Sequence, residues 1–290
     1  MEKDEGNMEK SISIFLLLPF IFLSIFLLIP IGFTVVLSFC SWWGYGPITF
    51  VGLDNFIKIF TIERFQRALI NNLLWIIGVI FVPMFFGLIL AYILLDVKGK
   101  RIFTAALWIP YAISPVALGY IFYFVFDPKI GLINSTLEIL GLGFLKRAWL
   151  SSWPLNTFSL IIGSWWNRFA FSTIVYLAGM TTISRDIIDA AKTDGCVGFH
   201  QLRKIIFPLL RPFTAIILAW SVLYSFQDNF GFIYVTTEGG PFRSSEVIGI
   251  SMYLEGFMSS NMGIASALAF LSTIITLTAA IIILSRSKGG

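Results

Sequence analysis

The sequence predicts an all-α fold, a polytopic membrane protein with six transmembrane helices and an additional helix-forming segment on the cytoplasmic side. Of its 290 residues, 57% are hydrophobic and only 12% are charged, with a mean hydropathy of +0.87. A single soluble core cannot absorb that much apolar surface. Several stretches of roughly 20 residues carry no charged side chain, which is the length that crosses about 30 Å of hydrocarbon. The basic residues are also distributed unevenly between the predicted loops.

Each span is predicted from a charge-poor stretch. The six spans are residues 13–38, 68–95, 102–126, 157–179, 212–227 and 256–285. The fourth is interrupted by Arg168, and the fifth is only about 24 Å long at 1.5 Å per residue. The first is too long for the apolar region of a signal peptide, so we expect it to be a retained helix. Six spans place both termini on the same side of the membrane.

The Lys and Arg residues indicate which side that is. The loops on the side of the termini carry 12 basic residues and the opposite loops carry 7. Cytoplasmic loops have the excess, so both termini are predicted to be cytoplasmic and the protein to lie in the cell (inner) membrane. The predicted parts are a cytoplasmic segment 1–12, a transmembrane domain 13–285 and a cytoplasmic tail 286–290. The net charge of +4 is interpreted as topology and not as nucleic-acid binding, because the cations form no dense stripe.

The sequence lacks the motifs of several classes of enzyme and binding site. Cys40 and Cys196 are too few and too far apart for a disulfide framework or a metal site. No phosphate-binding loop of the form GxxxxGK[ST] occurs, and neither HExxH nor GxSxG is present. The single histidine, His200, is interpreted as solvated or packed. We therefore expect no cofactor, no metal and no catalytic residue, although a membrane-embedded enzyme and a channel remain the alternatives to a transporter.

One cytoplasmic segment, residues 184–212, is long, polar and helix-like. Ser184 is a suitable N-cap, and Gly195 is expected to end the helix that follows. Pro208 and Pro212 then mark the start of the fifth span. A helix, a glycine turn and a second helix form a knob that can dock into another protein. The alternative is a surface helix that lies among lipid headgroups.

The same segment carries a resemblance. Asp189-Ala190-Ala191-Lys192-Thr193-Asp194-Gly195, followed by Phe207-Pro208 and Pro212, resembles the EAA motif of binding-protein-dependent ABC permeases. Four further stretches, in the expected order, resemble the sugar-permease branch, the family of the larger maltose-transporter permease subunit: Phe50–Phe56, Ile109–Val116, Asp127–Asn134 and Thr237–Pro241. The resemblance extends from about residue 13 to residue 285. Asp189 stands where the family usually has Glu, which shortens the arm and keeps the charge.

The resemblance implies a permease subunit of an ATP-driven importer for a sugar or sugar-like solute. Its implied partners are a second permease subunit, two ATPase subunits that hydrolyse the ATP, an extracytoplasmic solute-binding protein, the sugar-like substrate and the lipid bilayer. The segment 184–212 would be the coupling segment that seats in an ATPase. The residues implied in ATPase coupling are Asp189, Ala190, Ala191, Asp194 and Gly195.

Arg168 is the candidate cargo-binding cation. An arginine near the middle of a span costs roughly 2.5–3.5 kcal/mol on insertion scales, so it is expected to face a cavity or a partner. In the family that the chain resembles, the fourth and fifth helices line the pathway. The predicted pathway residues are Arg168, Trp165, Trp166, Tyr224, Gln227, Asp228 and Asn229. The alternative is that Arg168 forms an ion pair with Asp228 or with a carboxylate of the second permease, and that the tryptophans only pack or anchor.

Overall fold

The architecture comes from a computed structural model of the chain. It describes Leu17, residues 19–95 and residues 97–287, except for the side chains of Asp228 and Ser287. The predicted segment 1–12, the beginning of the predicted first span and residues 288–290 of the predicted tail lie outside the described residues.

The described chain is mainly helical. Its helices are α1 (Pro19–Ser38), α2 (Asp54–Thr61), α3 (Glu63–Leu95), α4 (Lys100–Ala112), α5 (Pro115–Val125), α6 (Leu132–Ile139), α7 (Leu155–Met180), α8 (Arg185–Thr193), α9 (Gly198–Leu209), α10 (Arg211–Gln227), α11 (Phe230–Thr237), α12 (Ile248–Tyr253) and α13 (Met262–Ser287). Two short strands, β1 (Cys40–Ser41) and β2 (Thr49–Phe50), pair antiparallel. The all-α prediction needs this small correction, because the chain after α1 folds back on itself through Gly44 and Gly46, both with positive φ.

Among the described residues, three helices are long and apolar enough to cross a membrane. They are α1, α3 and the Met262–Arg286 part of α13, and they correspond to the first, second and last predicted spans. The last span begins at Met262 and not at residue 256. The reason is local, because Ser260 has a φ of 55° and interrupts the helix there.

The third predicted span, 102–126, is not one straight helix. It consists of α4 and α5, which meet at an angle of 89°. Pro110 lies near the end of α4, and Pro115 opens α5 behind an N-cap at Ser114, whose hydroxyl accepts a hydrogen bond from the Ala117 amide at 3.2 Å. A proline cannot donate to the preceding turn, and the residue before it avoids helical geometry, so the chain bends here. The stretch Ile109–Val116, one of those that carry the family resemblance, therefore contains the break between α4 and α5.

The fourth and fifth predicted spans also differ from simple membrane helices. The fourth forms α7, a continuous helix of 26 residues. Because of its polar side chains, α7 is not among the helices that are apolar enough to cross a membrane. The fifth forms α10, which is bent by 76° from α9 across Leu210. By length and composition the structure has three spans, or up to five when each bent pair counts as one. The prediction of six is thus confirmed only in part.

The described chain divides into two compact units. The first contains the residues up to Thr61 together with Met252–Leu271, and the second contains Ile62–Ser251 and the residues from Ser272 onward. In the first unit, the side-chain amide of Asn55 donates to the carbonyl oxygens of Ser38 at 3.0 Å and Cys40 at 2.8 Å. These bonds connect α2 to the end of α1.

In the second unit, α3 packs closely along α7. Gly78 and Gly87 on α3 face Ile161 and Ser172 on α7, where a β-carbon would collide with its neighbour. Small residues at such positions let two helix backbones approach within a membrane. Toward the α8 end of this pair, a buried apolar cluster joins α3, α7, α9 and α10. It contains Leu88, Ala91, Tyr176, Met180, Leu202, Ile206, Leu210 and Ile217.

Two buried asparagines near the start of α3 hold the segment between α11 and α12. The Asn71 amide donates to the carbonyl oxygens of Ser244 and Glu246 at 2.9 and 2.8 Å. The Asn72 side chain donates to Ser225 and accepts from the Ile248 amide. Buried backbone groups away from water need such partners. Neither residue was predicted from the sequence, although a polar pair in an otherwise apolar helix was the available signal.

Candidate functional site: the coupling segment and the surroundings of Arg168

Local hydrogen bonds close both ends of α8, the helix in the first half of the segment 184–212. The Ser184 hydroxyl accepts a hydrogen bond from the Asp186 amide at 3.2 Å and caps α8, as the sequence predicts. At the other end, the Gly195 amide donates to Lys192 and the Cys196 amide donates to Ala191. This pair of bonds is a Schellman motif, which requires a residue with positive φ after the helix. Gly195 supplies it, with a φ of 74°.

The side chains of α8 are mostly exposed. Asp189, Ala190, Asp194 and Gly195 face outward, and only Ala191 of the predicted coupling residues is buried. Asp189 contacts Lys192, with 3.3 Å between the carboxylate and the ammonium nitrogen. An exposed pair of this kind contributes little to stability. The helix therefore presents polar and small side chains to whatever lies beyond it.

A buried glutamine connects α8 to the helices behind it. The Gln201 amide donates to the Ile188 carbonyl at 3.1 Å, and its oxygen accepts from the Tyr92 hydroxyl at 3.2 Å. Gln201 lies on α9 and is only 3% exposed, so one side chain joins α8, α9 and α3. Gln201 was not among the residues predicted from the sequence. A polar residue beside the apolar Leu202, on the side of α9 that packs inward, is the signal that could have found it.

Arg168 lies midway along α7 and is buried, with 7% of its surface exposed. Its guanidinium carbon is 3.8 Å from the centre of the Tyr224 ring. Its Nε donates to the Asn167 side-chain oxygen at 2.9 Å. Asn167 in turn donates to the Pro110 carbonyl at 3.3 Å, beside the break between α4 and α5. The predicted pathway residues Arg168 and Tyr224, 56 positions apart in sequence, are thus in direct contact.

Two aromatic residues complete this environment. The Tyr111 and Phe171 rings are stacked, 5.7 Å apart with an interplanar angle of 20°. The Arg168 guanidinium lies 5.8 and 6.0 Å from their centres. A cation within about 6 Å of an aromatic face is stabilised by the ring, more strongly when it is desolvated. Neither residue was predicted from the sequence: Tyr111 reaches Arg168 only through the packing of α4 against α7, whereas Phe171 lies three residues after Arg168 on the same helix.

The other polar pathway candidates have different positions. Tyr224 to Asp228 form a π-helical turn at the end of α10. Gln227 is exposed, whereas Asn229 is fully buried and donates to the Ser225 carbonyl at 3.1 Å. The Asp228 side chain lies outside the described residues, so its predicted ion pair with Arg168 stays a prediction.

Trp165 and Trp166 lie on α7 with Arg168 and line a groove of their own. Trp166 lies about 200° around the helix from Arg168 at roughly 100° per residue. Both tryptophans line an apolar groove of about 850 Å³ between α3, α4 and α7, together with Phe86 and Phe103. The Trp165 indole donates to the Gly78 carbonyl at 3.0 Å. Whether they line the pathway or only pack stays a prediction.

The stretch Asp127–Asn134 forms a turn closed by local hydrogen bonds. The Asp127 carboxylate accepts from the amides of Ile130 at 2.9 Å and Lys129 at 2.8 Å. These two backbone donors hold the pKa of Asp127 below its usual range. Asn134 donates to the carbonyls of Pro128 and Arg147 and is itself buried. The motif therefore has a structural function in the loop before α7.

Comparisons with known proteins agree with this architecture. Residues 83–287 match the family described as the binding-protein-dependent transport system inner membrane component. The probable ABC transporter permease protein YurN of Bacillus subtilis is 32% identical over 288 residues, which is 98% of each chain. The sn-glycerol-3-phosphate transport system permease protein UgpA of Agrobacterium fabrum is 28% identical and covers 79% of this chain and 77% of its own.

A solved structure has the same fold. The chain matches a bacterial ABC transporter involved in the import of the acidic polysaccharide alginate with a TM-score of 0.84, at 21% identity, over 98% of this chain and 97% of that one. The family match spans well over half of the sequence, and the Bacillus relative spans nearly all of it. The chain therefore belongs to the family of binding-protein-dependent ABC transporter permeases, the membrane-embedded subunits of these transport systems.

Proposed function

We propose that the chain forms half of the translocation pathway of an ATP-driven importer for a sugar or sugar-like solute. It pairs with a second, related permease, two ATPase subunits drive the transport, and an extracytoplasmic binding protein delivers the cargo. The family match and the permease relatives support this assembly. The buried contact between Arg168 and Tyr224 carries the cargo part of the proposal, because it combines hydrogen-bond donors with an aromatic face.

The proposal includes six membrane spans with both termini in the cytoplasm. α7 is the additional span, and its polar side chains are tolerated because they face other helices and not lipid. The broken pairs α4–α5 and α9–α10 count as one span each. The 12-to-7 asymmetry of basic residues supports this orientation. Lys100 is then cytoplasmic, and Gly141 lies on the outer side.

α8 is the proposed coupling helix. Its exposed Asp189, Ala190, Asp194 and Gly195 seat in an ATPase subunit, and Ala191 packs behind them. Closure of the ATPases on ATP moves α8 as a rigid piece, because both of its ends are closed by hydrogen bonds. The Gln201 bonds pass that displacement to α9 and α3. Rigid-body shifts of this kind are a common form of switching.

Arg168 is the proposed cargo donor, with Tyr224 beneath its guanidinium. A planar guanidinium donates in pairs to sugar hydroxyls and still more strongly to a carboxylate or phosphate. The relative UgpA carries sn-glycerol-3-phosphate in its name, which is both hydroxylated and anionic. The proposal is therefore a hydroxyl-rich cargo, with Arg168 prepared for an acidic group on it.

The test is Arg168→Gln in the full transporter, expressed with its second permease, ATPases and binding protein. The variant keeps polarity and removes the charge, so we expect uptake to fall by roughly tenfold or more, the effect of losing a hydrogen bond to a charged group. Copurification of the subunits and ATPase stimulation by the loaded binding protein should survive. Arg67→Gln is the control, since Arg67 is a half-buried arginine paired with Glu63 in the same chain, and its uptake should stay within about twofold of wild type.

Two other outcomes contradict the proposal in different ways. Loss of the assembled complex in Arg168→Gln identifies a structural ion pair and removes the cargo role. Unchanged uptake with an intact complex removes Arg168 from the pathway altogether.

A further inference from the structure

α9 has two apolar faces, which is unusual for a helix at the surface of a bundle. On the inner face, Leu202 and Ile206 pack into the buried cluster with α3 and α7. On the outer face, the Phe199 and Phe207 side chains are 61% and 37% exposed. The inner face explains how α9 is held. The outer aromatic residues need another explanation.

These aromatic residues border a pocket of about 360 Å³. Phe81, Phe85 and Ile89 of α3 form one wall, and Phe199 and Phe207 of α9 form the other. Among the described residues that line it, Arg203 is the one charged side chain. The pocket is therefore an apolar slot with a single cation at its edge.

With the six spans of the proposed function, on which this step rests, the direction of α9 places this slot at a membrane surface. α9 meets α10 at an angle of 76°, so when α10 crosses the bilayer α9 runs nearly parallel to the membrane plane. The adjacent helix α3 is one of those long and apolar enough to cross. A helix in this position, with aromatic and basic side chains on its outer face, is typical of the boundary between headgroups and acyl chains.

The charged side chains of α9 are all basic. From Gly195 to Gln227 the sequence contains no Asp or Glu, whereas Arg203, Lys204 and Arg211 are all present. The lining residues from α3 and α7 are uncharged. The neighbouring α8 does carry acidic groups, and one of them, Asp189, contacts Lys192. The slot thus combines an apolar interior with a local excess of positive charge.

We propose that this slot binds one anionic phospholipid of the leaflet that borders α8 and α9. An acyl chain lies between α3 and α9 against Phe85 and Phe199, and the lipid phosphate contacts Arg203. Basic residues beside grooves between membrane helices recognise acidic headgroups in this way. Because α9 also holds the Gln201 bond to α8, the bound lipid would fix the helix behind the coupling segment.

The test measures lipid binding to the purified full-length chain in detergent by native mass spectrometry. Phosphatidylglycerol should bind more tightly than phosphatidylcholine, and Arg203→Gln should lower its affinity about fivefold while leaving phosphatidylcholine nearly unchanged. Lys204→Gln is the matched control, because the neighbouring Lys204 is exposed and does not line the slot. Its effect should stay below about twofold. Phe199→Ala should weaken both lipids, since it removes apolar contact.

Three results would overturn the proposal. The first is an equal loss of affinity in Arg203→Gln and Lys204→Gln, which would indicate only diffuse electrostatic attraction. The second is displacement of the lipid by excess inorganic phosphate. The third is unchanged phosphatidylglycerol binding in Arg203→Gln. A photoreactive amino acid at position 199 in native membranes provides a second readout. A lipid adduct supports the slot, and an adduct with another protein subunit shows that a partner covers it instead.

Discussion

The proposed coupling segment and the surroundings of Arg168 are built in opposite ways. α8 is exposed and its two ends are closed by bonds between residues no more than five apart, such as Cys196 to Ala191, with one longer bond from Gln201 to Ile188. Arg168 is buried, and its neighbours Tyr111 and Tyr224 come from distant parts of the chain. A locally determined element can move as a unit without unfolding its neighbours. A site shared by three helices changes whenever any one of them moves, which is the behaviour that a transport pathway needs.

The strongest test of this contrast is Gly195→Val. A β-carbon at position 195 would meet no atom within 4 Å, so only the φ of 74° opposes the substitution. That backbone conformation costs a side-chain-bearing residue roughly 1–2 kcal/mol, enough to lower the population of the native turn about 5- to 30-fold. ATP-dependent uptake should fall accordingly, together with crosslinking of α8 to the ATPase, while the subunit remains in the membrane.

Gly141→Val is the matched control for that experiment. Gly141 has a φ of 73° in a loop on the proposed outer side, and the space around it is equally open. The backbone strain is therefore the same, but we expect uptake and crosslinking close to wild type. Equal uptake in the two variants would mean that the position of the turn does not matter, and α8 would be a surface helix among headgroups.

A smaller effect is expected at the aromatic residues of α7 and α10. Tyr224→Leu removes the ring under Arg168, a contact worth about 0.5–2 kcal/mol, so uptake should fall roughly two- to thirtyfold without loss of assembly. Trp166→Ala should change uptake less than about twofold, because Trp166 lines the apolar groove on another side of α7. Initial uptake rates at saturating binding protein measure both. A larger loss in Trp166→Ala than in Tyr224→Leu would reverse the assignment of the pathway side.

The smallest effect is expected for Asp189→Ala. The Asp189 and Lys192 side chains are about two-thirds and one-half exposed, so their pair contributes little to the stability of α8. Any loss of uptake must then come from contact with the ATPase, and we expect about a two- to fivefold reduction. Asp186→Ala is a suitable comparison on the same helix, and circular dichroism of both variants should match wild type. An Asp189→Ala effect as large as that of Gly195→Val would show that the carboxylate, and not the shape of the turn, carries the coupling.

The sequence by itself determined the features that depend on near neighbours and on composition. Ser184, Gly195 and the long apolar helices are examples, because capping bonds and membrane-spanning length are set within one stretch of chain. The bends at Pro115 and Leu210 were predictable in principle, since the prolines were visible, but their angles depend on what the helices pack against. The third span was predicted as residues 102–126 without its bend of 89° for that reason.

Only the tertiary structure decided which side of each helix faces which neighbour. It joined Arg168 to Tyr224 and to the unpredicted Tyr111, and it moved Trp165 and Trp166 to a separate groove. It also gave Asn71 and Asn72 their partners near residue 245. In a membrane helix almost every position is apolar, so the hydrophobic pattern that identifies the inward face of a soluble helix is weak. The facing is set instead by where small residues such as Gly78 and Gly87 let α3 and α7 approach, and that is a property of two helices together.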